Sequence, residues 1–182
     1  RGLAYAAQRQ FEPAIEDFNQ AISRRPAHDS AYHQRGLAYA ALGQFEPAIA
    51  DFSIVLESNP LAAGVYRERG LAYRQLGQLA EAIEDWEQAI RLDPDDRQTA
   101  LNLGLAAMQR QDADTAVRYL NRVLDEGVTA PPLLEPELAE AYFQRGLAHT
   151  VRFDYDRAIA DFDRAIARRG DDSNLYKHRG AA

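Results

Sequence analysis

The stretch AGVYRERGLAYRQLGQLAEAIEDWEQAIRLDPDD, residues 63–96, decides how this chain folds. In its first half Tyr66, Arg69, Gly70, Tyr73 and Leu76 recur at three- and four-residue steps, which marks one stripe of a helix. Gly77 follows as a helix stop. In the second half Ala82, Ile83, Trp86, Ala89 and Ile90 repeat the helical spacing. Asp93-Pro94 then closes the segment, because the residue before a proline avoids the α region. The pattern predicts a helix over 65–76, a short turn, and a second helix over 80–92.

The same pattern recurs along the chain. Arg-Gly-Leu-Ala-Tyr stands at Arg1–Tyr5, Arg35–Tyr39 and Arg69–Tyr73, a step of 34 residues. Gly104 keeps that step, Gly146 follows after 42, and Gly180 returns to 34. The units read as a fragment at 1–28, repeats at 29–62 and 63–96, an expanded repeat at 97–138, a repeat at 139–172, and a fragment at 173–182. A fixed period of this size means stacked supersecondary units with a quasi-linear core, here one array of 1–182. The chain opens inside a repeat, so a longer parent array is expected.

Gly36, Gly70, Gly104 and Gly146 fall mid-helix, where glycine costs roughly 1 kcal/mol against alanine. A recurring cost implies close approach to the second helix. Ala48, Ala82, Ala116 and Ala158 are the matching small residues there, with Phe18, Phe52, Trp86, Leu120 and Phe162 in the neighbouring layer.

These residues resemble the tetratricopeptide-repeat (TPR) family pattern, an aromatic-x2-Leu-Gly-x2-Tyr run followed by Ala-x3-Phe, Ala and Pro. Tyr66, Gly70, Tyr73, Ala82, Trp86, Ala89 and Pro94 match it, as do Tyr32, Gly36, Tyr39, Ala48, Phe52 and Pro60. The family's leucine before the glycine is arginine here in every unit except the fourth. The resemblance implies an all-α fold, a right-handed α-α superhelix (solenoid) of antiparallel helix hairpins. It also implies a non-catalytic scaffold or adaptor that binds a peptide or protein segment on a concave face lined by the first helices. Two alternatives stay open: a self-assembling oligomer, or the recognition region of a larger enzyme.

On that frame the groove candidates are the non-core positions of the first helices. They are His33, Gln34, Leu37 and Ala41; Arg67, Glu68, Leu71, Arg74 and Gln75; Leu101, Asn102, Leu105, Met108 and Gln109; Phe143, Gln144 and Leu147; and Lys177 with His178. Leu3, Leu37, Leu71, Leu105 and Leu147 form a ladder directly after each glycine. It reads either as interhelical packing or as a groove floor for apolar segments. Many family members carry asparagine at that place, and in the chaperone-binding subgroup it helps grip a C-terminal carboxylate; leucine donates no such bond, so the resemblance does not imply recognition of chaperone tails.

Internal copies also pair charges. Arg1 and Asp17, Arg35 and Asp51, Arg69 and Asp85, and Arg145 and Asp161 stand sixteen residues apart, while the fourth unit has Leu103 and Tyr119. Joint presence and joint loss imply that the two side chains meet across the hairpin as a half-buried structural ion pair; a ligand-binding arginine is the competing reading. The fourth unit is degenerate in other ways. Ala100 and Ala107 replace its aromatics, and eight extra residues fall near 127–136, with Gly127 as a helix end, Pro131 and Pro132 extended, and Pro136 suited to a first helical turn. That insertion reads as a tolerated loop, or as a hinge or partner-contacting arm.

Composition narrows the chemistry. Lys and Arg number 21 against 28 Asp and Glu, for a net charge of −7, which disfavours non-specific nucleic-acid binding. Lys177 is the single lysine, and cysteine is absent, so lysine Schiff-base, thiol and disulfide chemistry have almost no residues to use. No apolar run reaches the roughly 18 residues of a membrane span. His28, His33, His149 and His178 lack metal-ligand spacing, and no phosphate loop or nucleophile elbow appears. The expectation is therefore no catalytic residue, no metal and no cofactor, a protein or peptide partner, a possible homo-oligomer, and a chemistry that favours the cytoplasm without fixing it.

Overall fold

The computed structural model describes residues 1–125, 133–169 and 173–182. Among these it contains helices and no strand. Two compact units divide the chain, Arg1–Asp93 and Pro94–Ala182. The first holds α1 (Gly2–Ala7), α2 (Phe11–Arg24), α3 (Asp29–Ala41), α4 (Phe45–Ser58), α5 (Ala63–Gln75) and α6 (Leu79–Leu92). The second holds α7 (Arg97–Gln109), α8 (Ala113–Val123), α9 (Glu135–Val151), α10 (Tyr155–Arg169) and α11 (Ser173–Ala181).

Helices α1, α3, α5, α7 and α9 end in the same way. A residue in left-handed backbone follows each: Arg9, Gly43, Gly77, Gln111 and Phe153, with φ between 58° and 76°. Gly43 and Gly77 take this conformation at no steric cost. Beyond Gly43, the Gln44 amide donates back to the Tyr39 carbonyl at 2.9 Å, a Schellman-type closure. Helices α2, α4 and α6 end at an extended residue before a proline: Arg25, Asn59 and Asp93, with ψ of 90°, 84° and 88°. Asp96 caps α7 by accepting from the Gln98 and Thr99 amides.

The hairpins stack by sharing second helices. α2 lies against α1 and α3, and α4 against α3 and α5; α8 lies against α7 and α9, and α10 against α9 and α11. Each mid-helix glycine faces one large buried side chain sixteen residues later. A Cβ on Gly36 would stand 2.7 Å from Phe52 Cε1, and one on Gly70 would stand 2.5 Å from Trp86 Nε1. Gly2, Gly104 and Gly146 meet Phe18, Leu120 and Phe162 in the same way. The close approach is therefore to the large residue, and the alanine series sits beside it, fully buried at Ala14, Ala48, Ala82, Ala116 and Ala158. Burying one such large side chain contributes about 1.5–3 kcal/mol, more than the roughly 1 kcal/mol the glycine costs.

The insertion differs from the expectation of a loop alone. The 42-residue step would start the fifth unit's first helix at 139, yet α9 begins at Glu135. Pro136 sits in its first turn, and Glu137 accepts from the Leu134 amide at 2.9 Å. Four of the eight added residues are thus an extra helical turn. Gly127, Pro131 and Pro132 lie outside the described residues.

Gly36→Ala is expected to destabilise the protein by about 1–3 kcal/mol, because the added methyl displaces the Phe52 ring by more than its helical gain returns. Gly64→Ala, where nothing lies within 4 Å of the new Cβ, should be neutral or stabilising by up to ~1 kcal/mol. Thermal melts of the two variants check the contrast.

Candidate functional site

The dipeptide that ends in each large residue faces the dipeptide that ends in each glycine. Arg35-Gly36 stands opposite Asp51-Phe52, and Arg69-Gly70 opposite Asp85-Trp86. Arg35 donates to Asp51 through Nε at 2.8 Å and Nη2 at 2.6 Å; Arg69 binds Asp85 at 2.8 Å through both nitrogens; Arg145 binds Asp161 at 2.7 Å through both. Arg1 binds Asp17 from an exposed position. Asp51, Asp85 and Asp161 are buried, while their arginines keep a little water. The bidentate fork matches a carboxylate better than a lysine would.

Two further contacts of the arginine are not evident from the charge pairing. The guanidinium lies between two tyrosines: Arg69 Cζ is 5.7 Å from the Tyr66 ring centroid and 5.8 Å from that of Tyr73, and Arg35 lies similarly against Tyr32 and Tyr39. Its third nitrogen reaches back to the preceding second helix. Nη1 of Arg35 donates to Asn19, that of Arg69 to Ser53, that of Arg145 to Asn121, and that of Arg179 to Asp163. The signal was available in the copies: Asn19, Ser53, Glu87, Asn121 and Asp163 occupy one polar register. The fourth unit loses the whole constellation together, with Ala100, Leu103, Ala107 and Tyr119 at the places of Tyr, Arg, Tyr and Asp. This arrangement holds the scaffold; both carboxylate oxygens are occupied within the hairpin.

The groove candidates divide by burial. Leu101, Asn102 and Phe143 are 4%, 3% and 9% exposed, so they are core residues and not available for contact. Leu101 and Asn102 sit in a helix whose neighbours Ala100 and Leu103 are also buried, and Phe143 packs against Phe162 and Leu175. His33, Gln34, Leu37, Arg67, Glu68, Leu71, Arg74, Leu105, Met108, Gln144, Leu147 and His178 are half-buried, and Ala41, Gln75, Gln109 and Lys177 are exposed. Leu3 is 61% exposed, whereas Leu37 and Leu147 each lean on a core cluster while keeping some surface. The ladder is thus both packing and surface.

On the first unit this face is braced. His33 Nε2 donates to Glu68 at 2.5 Å, joining α3 to α5. The His33 ring lies edge-on to Phe52 at 6.1 Å. That hydrogen bond raises the His33 pKa above the ordinary imidazole value, against the opposing effect of burial. The Arg74 guanidinium stacks over Trp86 at 5.7 Å, and Trp86 Nε1 donates to the Arg67 carbonyl. Among the described residues no group of acidic, histidine or cysteine side chains has the arrangement of a metal site, and no helix is long and apolar enough to cross a membrane.

Comparisons with known proteins agree with this architecture. A family profile described as TPR repeat matches residues 2–43 and 70–111, and two described as tetratricopeptide repeat match 29–60 and 101–174. Among solved structures the fold is similar to that of MamA, 20% identical, with a TM-score of 0.80 over 92% of this chain and 93% of that one. It is also similar to YrrB, a TPR protein with an unusual peptide-binding site, 18% identical, with a TM-score of 0.79 over 100% of this chain and 89% of that one. A MamA segment from Desulfovibrio magneticus RS-1 is 28% identical, with a TM-score of 0.65 over 68% of this chain and 70% of that one. No curated protein matches the sequence.

Arg69→Leu is expected to cost about 2–4 kcal/mol by stranding the buried Asp85 carboxylate. Adding Asp85→Tyr, which reproduces Leu103 and Tyr119, should recover at least half of that loss; a double-mutant cycle from thermal melts measures the coupling. His33 makes a pH-dependent contribution of defined sign. Its folded pKa lies above its unfolded one, so its stabilisation is complete below the unfolded value near 6.5 and is lost as pH rises through the folded value. His33→Gln should therefore lower the melting temperature more at pH 5.5 than at pH 8.5.

Proposed function

The chain belongs to the tetratricopeptide-repeat family, a family of protein-interaction scaffolds, and from this premise we propose that it holds an extended peptide or protein segment along the face of its first helices. One observation carries the reading. Leu37 and Leu71 keep part of their surface beside the His33–Glu68 bond, so apolar floor and fixed polar walls occur together on adjacent first helices. An apolar strip with a few set polar groups is what an extended segment recognises by alternating side chains and backbone. The site residues retained in this proposal are His33, Gln34, Leu37, Arg67, Glu68, Leu71 and Arg74, with Leu105, Met108, Gln144 and Leu147 as their counterparts in the second unit. The function is non-catalytic on this reading, and the buried Arg–Asp pairs serve the frame.

A second reading, association of copies of this chain, is favoured by one feature. Phe153 is 77% exposed in left-handed backbone at φ 60°, where Gly43 and Gly77 stand in other units. It stacks edge-on against Tyr155, with Val151 and Ile159 also exposed. Light scattering across concentration tests it; a monomer throughout ends it.

Peptides selected on the wild-type protein from a displayed library should lose about tenfold or more in affinity for Leu71→Glu, which places a charge on the floor. The melt of that variant should move little compared with Phe52→Ala. Selected peptides that bind both forms equally would overturn the first-helix face as the site.

A further inference from the structure

The fifth unit departs from its siblings at one buried position. Where three earlier units carry Tyr5, Tyr39 and Tyr73, it carries His149. The residue is 5% exposed, and its Nδ1 is closed to solvent with no hydrogen-bond partner. That nitrogen faces Asp154, whose Oδ2 stands 3.8 Å away; Asp161 Oδ2 stands 4.0 Å from Nε2. Both distances lie beyond hydrogen-bonding range. The sibling tyrosine keeps one charge state across the neutral range, whereas an imidazole changes its charge there.

The surroundings decide which charge state the fold prefers. The charged groups within reach of the ring are Arg145 on α9, Asp154 in the turn, and Asp161 and Arg157 on α10; none comes from α7 or α8. Both carboxylates are already engaged. Asp161 takes the fork of Arg145 at 2.7 Å, with Arg164 Nη1 at 3.5 Å, and Asp154 holds Arg157 at 3.1 Å. A proton on His149 therefore adds positive charge where three guanidinium groups already meet two carboxylates, and it does so away from water. Burial outweighs the pull of Asp161 and Asp154 and holds the His149 pKa below the ordinary imidazole value.

His33 has the opposite arrangement. Its Nε2 meets Glu68 directly at 2.5 Å, and its pKa is raised. Charging one histidine tightens the tie between α3 and α5; charging the other opposes the packing of α9 on α10. In a stacked array each hairpin depends on itself and its neighbours and opens locally, so the two effects act at separate places.

We propose that mild acid loosens the α9–α10 hairpin selectively, through protonation of His149, while the tie between α3 and α5 holds. The direction follows from linkage. The folded His149 value lies below the unfolded one, so the opened hairpin binds more protons between them. The hairpin keeps its full stability above the unfolded value near 6.5 and loses it as pH falls toward the folded value. Each pH unit of that interval raises the opening constant by up to about tenfold.

The test uses the full chain. Imidazole C–H resonances are followed by NMR from pH 8.5 to 4.5, with the His149 signal identified by its absence from His149→Gln. Its midpoint is expected below about 6.5. Amide hydrogen exchange at pH 7.5 and 5.0, corrected for intrinsic rates, is expected to show α9 and α10 opening about threefold or more at the lower pH, with no matching rise in α3 and α5. His149→Gln and His149→Tyr, the second restoring the sibling residue, should each abolish the response; one folded variant suffices. A midpoint at or above about 6.5, no rise in α9 and α10, an equal rise in α3 and α5, or a rise that a folded variant retains would overturn the proposal.

Discussion

Everything in each hairpin depends on one steric fact: a large buried side chain occupies the space that a Cβ would need on the first helix. Phe52 against Gly36 and Trp86 against Gly70 fix how near the two helices come. Once that distance is set, the residues immediately before them, Arg and Asp, are brought into bidentate range. The fourth unit supports the order of cause. Gly104 and Leu120 keep the steric contact although the ion pair is replaced by Leu103 and Tyr119, and α7 and α8 still pair. The glycine contact is the frame, and the charges are added to it.

The arginine does three jobs with one planar group. It forks onto its own aspartate, stacks on tyrosines one turn to either side, and donates its remaining nitrogen to the previous hairpin. A lysine could perform the first of these only in part and has no planar face for the second. Replacing the arginine therefore removes the reason for both tyrosines, which explains why Ala100 and Ala107 accompany Leu103. The fifth unit is intermediate. It retains Tyr142, stacked at 5.6 Å on Arg145, but exchanges the second tyrosine for His149.

Most of the fold was legible because it repeats. The helix pairs, and the proline-bounded ends of α2, α4 and α6, follow from local rules that the copies state again. The Arg–Asp contact was legible because its loss in one copy is joint. The groove residues were harder, because position on a helix face does not determine exposure. Leu101 and Asn102 occupy the same register as Arg67 and Glu68, yet they are buried where those are half-exposed. In α7 the neighbouring Ala100, Leu103 and Ala107 are buried as well, a tertiary effect that no single window contains. The extra turn of α9 was legible in part: Pro136 reads as a first-turn proline, and α9 does begin there, but the 34-residue frame places the start of that helix four residues later. The polar register from Asn19 to Asp163 was present in the copies, but it concerns contacts between neighbouring hairpins rather than within one.

That backward reach of the arginine bears on how such a chain can change over time. What one hairpin asks of the one before it is a side-chain oxygen at one place, and Asn19, Ser53, Asn121 and Asp163 all answer the request. So loose a docking rule makes the hairpin an interchangeable cassette. A copy can be duplicated, deleted or shuffled by recombination and still find its seat, while the strict fit of ring to backbone travels intact inside it.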